Sequence, residues 1–437
     1  MKATAIANAN IALVKYWGKR DKKLMLPQNG SISMTCDGLA TTTTVDFGDY
    51  ENDIVILNDE ELQKDKEAIV AHLDLIRGMA GIKQKAKMVS SSNFPVAAGL
   101  ASSASGFAAL SLAASKAVGL NLSKKELSIL SRRGSGSASR SIAGGFVEWH
   151  RGQKDDGSDS FAESVVDKNY WHEFRMITTI VTEAKKKVSS RSGMSQTVEN
   201  CPYYDGWLKT INNDLDTVRS GIKNRDFTRV GSTAERNCLK MHALMMTTTP
   251  AIIYWFPPTM QIIQSVMLWR EEGLECYFTI DAGANVKVMC LEKNAAEVNK
   301  RLLGLSGVIK TIICRPGDEA SKFLLIKRGH KPEKGYWAVP GGHVDKGETP
   351  YECAKREAKE EVGEVEILSK KPVYVFVHDI DIGHRHKAHV FLGKVAGRLR
   401  ASSDAKELGW FTLKQMRKLE LTHYTKKIFN KLYSKVV

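Results

Sequence analysis

Hydrophobic and polar positions alternate weakly from Met1 to Ala9, which predicts a first strand. Thr- and Val-rich runs at Ala40–Phe47 and Ile54–Leu57 predict antiparallel strands within residues 31–57. Lys64 to Met79 carries a helical period, and Lys85 to Ser91 reads as a strand. That strand delivers the chain to a lean loop, Asn93 to Ala104, followed by a small-residue helical run, Ser105 to Val118. Further on, Phe146–Trp149 and Met176–Thr182 read as strands, and residues 205–247 as mainly helical. Tyr277–Ile280 is an apolar strand that ends at Asp281-Ala282-Gly283. From Gly307 the texture changes. Val308–Cys314 and Phe323–Lys327 predict two strands around the turn Arg315–Ser321, and Thr349-Pro350 opens a helix.

A chain of 437 residues is long enough for two or three domains. Its hydrophobic share of 43% and charged share of 26% place it among globular proteins. No apolar run approaches the ~18 residues of a membrane helix, and Ile11–Val14 is too short an apolar core for a secretory leader. Seven cysteines form no Cys-x-x-Cys pair, so neither a disulfide framework nor a zinc site is expected, and a reducing cytoplasm fits best. The net charge is +15, and about ten of that excess lies beyond Gly307. Such a balance favours anionic ligands such as nucleotides and diphosphates. No basic-aromatic module points to nucleic acid, and neither nucleic acid nor membrane is an expected partner.

Chemistry concentrates first in Asn93–Ala104, which reads Asn-Phe-Pro-Val-Ala-Ala-Gly-Leu-Ala-Ser-Ser-Ala. Small residues let backbone N–H groups approach an anion, and the following helix turns its positive end to the same place. Ser102 and Ser103 add hydroxyls for phosphate or a metal. The other reading is a small-residue helix start packed on a sheet. No Gly-Lys-Ser/Thr follows, so the loop is not the common P-loop. Asn10 to Arg20 sets Lys15, Lys19 and Arg20 beside Tyr16 and Trp17. Ser131 to Ser141 is a second Gly/Ser run with Arg132, Arg133 and Arg140, suited to phosphate or carboxylate, or else a surface loop. Asp281 is either a turn-former or a catalytic base, and its local sequence leans to the turn.

Taken in this order, the pieces resemble the GHMP kinase superfamily and, within it, the diphosphomevalonate decarboxylase family. Pro95-x-x-x-Gly99-Leu100-Ala101-Ser102-Ser103-Ala104 is similar to the superfamily's phosphate loop, with Ala101 in place of its middle glycine. Asn10–Arg20, Gly134–Arg140, Ser192-Gly193-Met194 and Asp281-Ala282-Gly283 match the decarboxylase pattern, a resemblance that covers roughly residues 1–305, or runs on to 320. The resemblance implies an α+β, two-lobed GHMP-kinase fold with a ribosomal S5-like N-lobe and a ferredoxin-like C-lobe. It implies ATP-dependent phosphorylation of the 3-hydroxyl of mevalonate 5-diphosphate, then loss of phosphate and CO2 to give isopentenyl diphosphate. Asp281 is then a catalytic carboxylate, with Lys15 and Arg140 as catalytic cations. Tyr16, Lys19, Ser137 and Arg140 hold substrate, and Pro95, Gly99, Leu100, Ala101, Ser102 and Ser103 hold ATP with Mg2+. Relatives that take the 5-monophosphate, or that only phosphorylate mevalonate, are the alternatives; the kinases lack the Lys15 and Asp281 pairing present here.

The last third carries Gly342 to Glu348, seven residues, then Arg356-Glu357-Ala358-Lys359-Glu360-Glu361-Val362-Gly363. Glu357, Glu360 and Glu361 are spaced i, i+3, i+4 and share one helical face, where a divalent cation relieves their repulsion. The pattern resembles the Nudix box, departing only at Glu364, where an apolar residue is usual. That resemblance implies an α/β/α sandwich and Mg2+-dependent attack of water on a nucleoside or other diphosphate. Glu357, Glu360, Glu361 and the Gly342 carbonyl are then metal ligands, with Glu348, Arg356 and Gly363 as structural members of the box. Tyr336 and Trp337 stack on a base or pack in the core. His378, His384, His386 and His389 are a loop's scattered histidines or a metal site. The expected division is 1–306 and 307–437, or a first domain running to about 320. A diphosphate-sensing module without turnover, or action on isopentenyl diphosphate, are alternatives for the second part, and a homodimer is left open.

Overall fold

In a computed structural model the described residues are 1–432 except 65, 96–101, 185, 321–322, 331–332, 368–369, 373, 382–383, 392, 412–415 and 417–418. They divide into two compact units, Ile6–Ala114 with Leu122–Ser321, and Met1–Ala5 with Ser115–Asn121 and Lys322–Val437.

The chain opens with β1 (Lys2–Val14), which belongs to the first unit from Ile6 on, followed by a small hairpin of β2 (Lys19–Asp21) and β3 (Leu26–Pro27) and the long β4 (Ser31–Gly48). β1 runs past the expected Ala9 because Ile11–Val14 is buried throughout, so a strand continues there without alternation. β5 (Ile54–Leu57), β6 (Glu60–Glu61), helix α1 (Glu67–Ala80) and β7 (Lys85–Ser92) follow. Next come α2 (Ser102–Ala117), α3 (Lys124–Gly134), a 3-10 helix (Gly136–Ile142), β8 (Phe146–Trp149) and β9 (Ala162–Val166). Seven of these strands make one sheet, in the order β6-β5-β7-β4-β8-β9 with β1 also paired to β4, and β2 pairs with β3 apart from it.

The second lobe of this unit holds β10 (Phe174–Ile180), α4 (Ser190–Asn200), α5 (Tyr204–Asn224), α6 (Phe227–Met246), α7 (Pro257–Glu271), β11 (Tyr277–Ile280), β12 (Val286–Leu291), α8 (Glu292–Leu303) and β13 (Lys310–Cys314). Its sheet runs β11-β12-β10-β13, all antiparallel. Strand Lys310–Cys314 thus pairs with Phe174–Ile180, residue for residue from Met176↔Cys314 to Ile180↔Lys310. One core joins Ile11, Trp17, Phe146, Trp149 and Phe174 to Leu215, Val218 and Val230 of α5 and α6. A second packs Phe278, Val288 and Ile177 of the sheet on Ile262, Val266 and Leu302 of α7 and α8. The mixture is the α+β arrangement read from the sequence.

In the other unit, β14 (Phe323–Arg328), β15 (Trp337–Ala338) and β20 (Ala405–Phe411) form one sheet, β15-β14-β20. Between them in the chain lie α9 (Pro350–Glu361), the pair β16 (Gly363–Ile367) with β19 (Gly393–Leu399), and the ribbon β17 (Tyr374–Asp381) with β18 (His384–Val390). The helix His423–Leu432 closes the unit, and Ile428 and Phe429 join Leu325 and Phe376 in its core. Trp337 packs edge-on against Phe411 at 4.6 Å, the core role rather than the stacking one. Thr349 caps α9 with a reciprocal Glu352 contact, and Pro350 takes the first helical position. Among the described residues no helix is long and apolar enough to cross a membrane.

Candidate active site

The end of β1 is pinned from three sides. The Lys15 amide donates to Asn237 Oδ1 at 2.8 Å, and its carbonyl accepts from Asn29 Nδ2 at 2.8 Å. Asn237 is itself held by Asp214 at 2.7 Å. Three residues on, Gly18 has φ +108°, and a Cβ there would lie 1.8 Å from Tyr204 Oη; that hydroxyl donates to the Trp17 carbonyl. The Lys15 side chain is therefore aimed into the protein. Its Nζ donates to the Ala12 carbonyl at 2.8 Å and to Asp281 Oδ1 at 2.7 Å.

Asp281 follows β11. Its second oxygen accepts no hydrogen bond and stands 3.5 Å from Lys287 Nζ. Burial alone would raise this carboxyl, but Lys15, Lys287 and Arg140 outweigh it and hold the group at about 2. Arg140 lies in the 3-10 helix after α3, and the glycines that bring the chain there are sterically required. A Cβ at Gly134 would meet Phe107 at 2.1 Å, and one at Gly136 would meet Trp149 at 2.9 Å. Arg140 Nε donates to Asn10 Oδ1 at 2.9 Å and Ser33 Oγ at 3.1 Å, and Nη1 donates to Ser31 Oγ at 2.5 Å. Burial lowers Arg140 to about 10, and Asp281 opposes that shift.

These groups line a cavity of about 380 Å3. Lys15, Tyr16, Lys19, Ser102, Ser103, Ser137, Arg140 and Asp281, all singled out from the sequence, meet there. The buried Tyr16 hydroxyl has no hydrogen-bond partner, and its ring packs on Trp149 at 4.7 Å. Two buried polar atoms that accept or donate no hydrogen bond, Tyr16 Oη and Asp281 Oδ2, mark a place built to receive a ligand. Ser103 and Ser137 hydroxyls each stand 3.4 Å from Ser135 Oγ. α2 begins at Ser102, so its N-terminal turn borders the cavity. Pro95 is half-buried on the approach to that helix, and Gly99, Leu100 and Ala101 lie outside the described residues. Burial, followed by Arg191 and Lys22, lowers Lys19 to about 8. Lys19 and Arg191 also line a second cavity of about 460 Å3, with Lys22, Lys23 and Arg133.

Sequence reasoning missed three cations here. Lys186 donates to Ser190 Oγ at 2.6 Å and Ala282 O at 2.8 Å, and burial lowers it to about 8. It was one lysine of three in 185–187, and only the fold selects it. Arg191 stands beside a recognised motif without belonging to it. Lys287 had a signal of its own, a lone charge inside the apolar run Val286–Leu291.

In the other unit, Arg356 forks onto Glu348, Nε to Oε1 at 3.0 Å and Nη2 to Oε2 at 2.9 Å. It also donates to Glu357 Oε1 at 2.8 Å and the His343 carbonyl at 2.9 Å. These hydrogen bonds, to Glu348 first and then Glu357, raise the guanidinium. A Cβ at Gly342 would lie 2.1 Å from Glu357 Oε1, so any larger residue there would push that carboxylate aside. Gly363 takes φ +104° where α9 turns into β16. Glu361 is buried and accepts the Gly341 N–H at 2.8 Å. Burial pushes its carboxyl up to about 7; Gly341 opposes that, and Glu357 and Asp404 add to it. Glu360 is about half exposed on the same helix, 3.5 Å from Arg356. Among the described residues no group of three or more His, Cys, Asp or Glu is gathered as a metal cage. The donors nevertheless suit Mg2+ by chemistry: carboxylate oxygens on one helical face, one of them destabilised as an anion. β17 and β18 set residue 378 opposite 386 and residue 375 opposite His389. The side chains of 378, 384 and 386 lie outside the described residues.

A two-lobed α+β fold, with a serine-bearing helix start facing a lysine–aspartate pair, defines the class of the first unit as GHMP-kinase-like. Comparison with known proteins narrows the class. The family model described as a diphosphomevalonate decarboxylase-like N-terminal domain matches residues 7–162. That described as a mevalonate 5-diphosphate decarboxylase C-terminal domain matches 176–319. A NUDIX domain model matches 308–432. The diphosphomevalonate decarboxylase of Gibberella zeae is 37% identical over 313 residues, 67% of this chain and 82% of that protein. The solved mevalonate diphosphate decarboxylase from Enterococcus faecalis, described by its mevalonate diphosphate-mediated ATP binding, is 41% identical with a TM-score of 0.69, over 74% of this chain and 99% of that one. A further structure, described as a complex with MVAPP, AMPPCP and magnesium, is 42% identical with a TM-score of 0.70, over 74% of this chain and 99% of that one. The chain belongs to the diphosphomevalonate decarboxylase family and carries a Nudix domain at its C-terminal end.

Proposed function

We propose that the first unit uses ATP to decarboxylate mevalonate 5-diphosphate, giving isopentenyl diphosphate, ADP, phosphate and CO2. The observation that carries this reading is the Lys15–Asp281 pair, 2.7 Å apart, in a cavity ringed by buried cations. The substrate's 3-hydroxyl oxygen attacks the terminal phosphorus of ATP, and the bond to ADP breaks. That attack forms a new P–O bond; the substrate's C3–O bond then breaks with its electron pair on the departing phosphate, and the pair of the departing C–CO2 bond becomes the new double bond. Two polyanions must meet, so cations must offset their charge. Lys15 serves the transferring phosphoryl group, and Arg140 the substrate carboxylate. Tyr16, Lys19 and Ser137 hold the phosphorylated end, and Ser102 and Ser103 hold ATP, a role that the family resemblance also gives Pro95, Gly99, Leu100 and Ala101. A carboxyl held at about 2 stores a proton poorly at neutral pH. Asp281 therefore orients the hydroxyl and offsets charge, and the proton leaves with the transferred phosphate.

The second cavity, sharing Lys19 and Arg191 with the first and adding Lys22, Lys23 and Arg133, favours a diphosphate over a monophosphate. The solved complex with a nucleotide analogue and magnesium supports the ATP requirement. One CO2 released per ATP consumed by the full chain is the expected result; CO2 release without ATP would overturn it.

For the C-terminal part the reading is Mg2+-dependent hydrolysis of a nucleoside or other diphosphate. Glu357, Glu360, Glu361 and the Gly342 carbonyl would hold the ion, which supplies charge neutralisation of the leaving phosphate. Arg356, fixed to Glu348, keeps Glu357 in place, and Gly363 lets the helix end there. The pairing of β13 with β10 supports a boundary after β13 rather than before it, within residues 315–322. Seven cysteines without disulfides accord with a cytoplasmic setting.

A further inference from the structure

Strand β12 reads Val-Lys-Val-Met-Cys-Leu, and Lys287 is its only charge. The residue is fully buried. In the sheet it stands between Thr279 of β11 and Thr178 of β10. The Thr279 hydroxyl donates to the Ala12 carbonyl at 3.3 Å, the same oxygen that accepts from Lys15 Nζ. This part of the sheet therefore abuts the end of β1. Lys287 Nζ donates to the Asn285 carbonyl at 3.0 Å and lies 3.5 Å from Asp281 Oδ2. Lys15 takes Oδ1, so the carboxylate is flanked by an ammonium at each oxygen.

An ammonium in a strand interior is a poor stability device, because an unbranched apolar chain fills such a space without desolvating a charge. We propose that Lys287 is a positioning residue of the decarboxylation site: it fixes the second oxygen of Asp281 and so sets the orientation from which that carboxylate meets the substrate hydroxyl. The proposal rests on Asp281 being the carboxylate that meets substrate. Other charged and titratable groups around Asp281 are Lys15 after β1, Arg140 in the 3-10 helix, Lys186 before α4, Cys36 on β4, and Cys238 and His242 on α6. Burial keeps His242 at about 3 and Cys238 at about 11, so both are neutral at pH 7. Lys287 reaches Asp281 Oδ2 at 3.5 Å from β12, beside Thr279 of β11, while Lys15 holds Oδ1.

The test is Lys287→Met in the full chain, with Lys287→Gln beside it to keep a polar tip near the Asn285 carbonyl. Both are followed by thermal melting, and by kcat and KM for CO2 release between pH 4.5 and 8. The expected result is a melting temperature no lower in Lys287→Met than in the parent and a KM for the phosphorylated substrate within about threefold. The expected kcat is lower by about tenfold or more, with an acid limb displaced upward, because one of the cations within reach of Asp281 is gone. A folded variant with parental kcat and pH profile overturns the proposal. If Lys287→Met does not fold, Lys287→Gln decides by the same kcat criterion. Asp281→Asn separates the two readings: if it still releases CO2 at the parental rate, the assignment of Asp281 fails; if it is inactive while the Lys287 variants are not slowed, only the role of Lys287 fails.

Discussion

Replacing Asp281 by asparagine keeps the side chain's shape and removes one negative charge from among three cations. In the parent, Lys15 lies at 2.7 Å and Lys287 at 3.5 Å, and Arg140 also acts on the carboxylate. Their joint effect moves the carboxyl from 3.8 to about 2 against the opposing pull of burial. At about 1.4 kcal/mol per unit, the surviving shift is worth about 2 kcal/mol of folding free energy. The asparagine variant loses that and leaves buried ammonium groups uncompensated, so a loss of about 2–5 kcal/mol is expected. That is a large share of a typical domain's ~5–15 kcal/mol, and it should be read as a lower melting temperature that anionic ligands partly restore. The sign with pH follows from the depressed carboxyl. Its contribution is fully present above pH 3.8 and is lost as the pH falls through about 2. The parent's acid melt should contain this step and the variant's should not. Catalytically, loss of the orienting carboxylate should cut kcat by about 10²–10⁴ while ATP still binds. The assay is ATP-dependent CO2 release beside ATP titration. A folded variant that releases CO2 near the parental rate refutes the role given to Asp281.

Glu361→Gln should abolish Mg2+-dependent diphosphate hydrolysis by the full chain and leave CO2 release unchanged; loss of both activities would mean the two chemistries are not independent. Gly342→Ala should lower the same hydrolysis, since its new Cβ would displace Glu357, which approaches to 2.1 Å, and parental hydrolysis would contradict that geometry. Lys19 and Lys186 both sit at about 8 before substrate binds. As pH rises through that value they lose the charge that attracts phosphate. KM for the phosphorylated substrate should therefore climb above about pH 8; a flat KM from pH 7 to 9 would remove these lysines from substrate binding.

How much of this was legible beforehand differs between the two parts. Where chemistry forces a contiguous pattern, the residues announced themselves. The turn of Lys15, Tyr16 and Gly18, the Gly/Ser approach to Arg140, and the Glu348–Arg356–Glu357 lock are all local runs whose spacing is the signal. Asp281 by its local sequence leans to a turn, since a carboxylate before Ala-Gly suits one; the family resemblance assigns it as catalytic, and the contact with Lys15, across 266 positions of sequence, gives its setting. Lys186 and Arg191 had no pattern to betray them, since a lysine in a charged loop is indistinguishable from solvated surface until the fold buries it. Elements followed the same rule. The far end of β1 was underestimated because a strand buried on both faces does not alternate. The strand Lys310–Cys314 has four apolar or half-apolar positions with no partner named in its sequence, and its pairing with β10 is a tertiary fact.

The central claim is a choice of substrate by a cation-ringed cavity, and it is tested most directly by offering the full chain three substrates. Mevalonate, its 5-phosphate and its 5-diphosphate, each with ATP and Mg2+, are compared by the rate of CO2 release. The diphosphate should be decarboxylated with the highest kcat/KM, because Lys19 and Arg191 border both cavities and Lys22 and Lys23 extend the cationic lining beyond the first. A higher kcat/KM for the monophosphate, or ATP consumption without CO2 from every member of the series, would contradict the account.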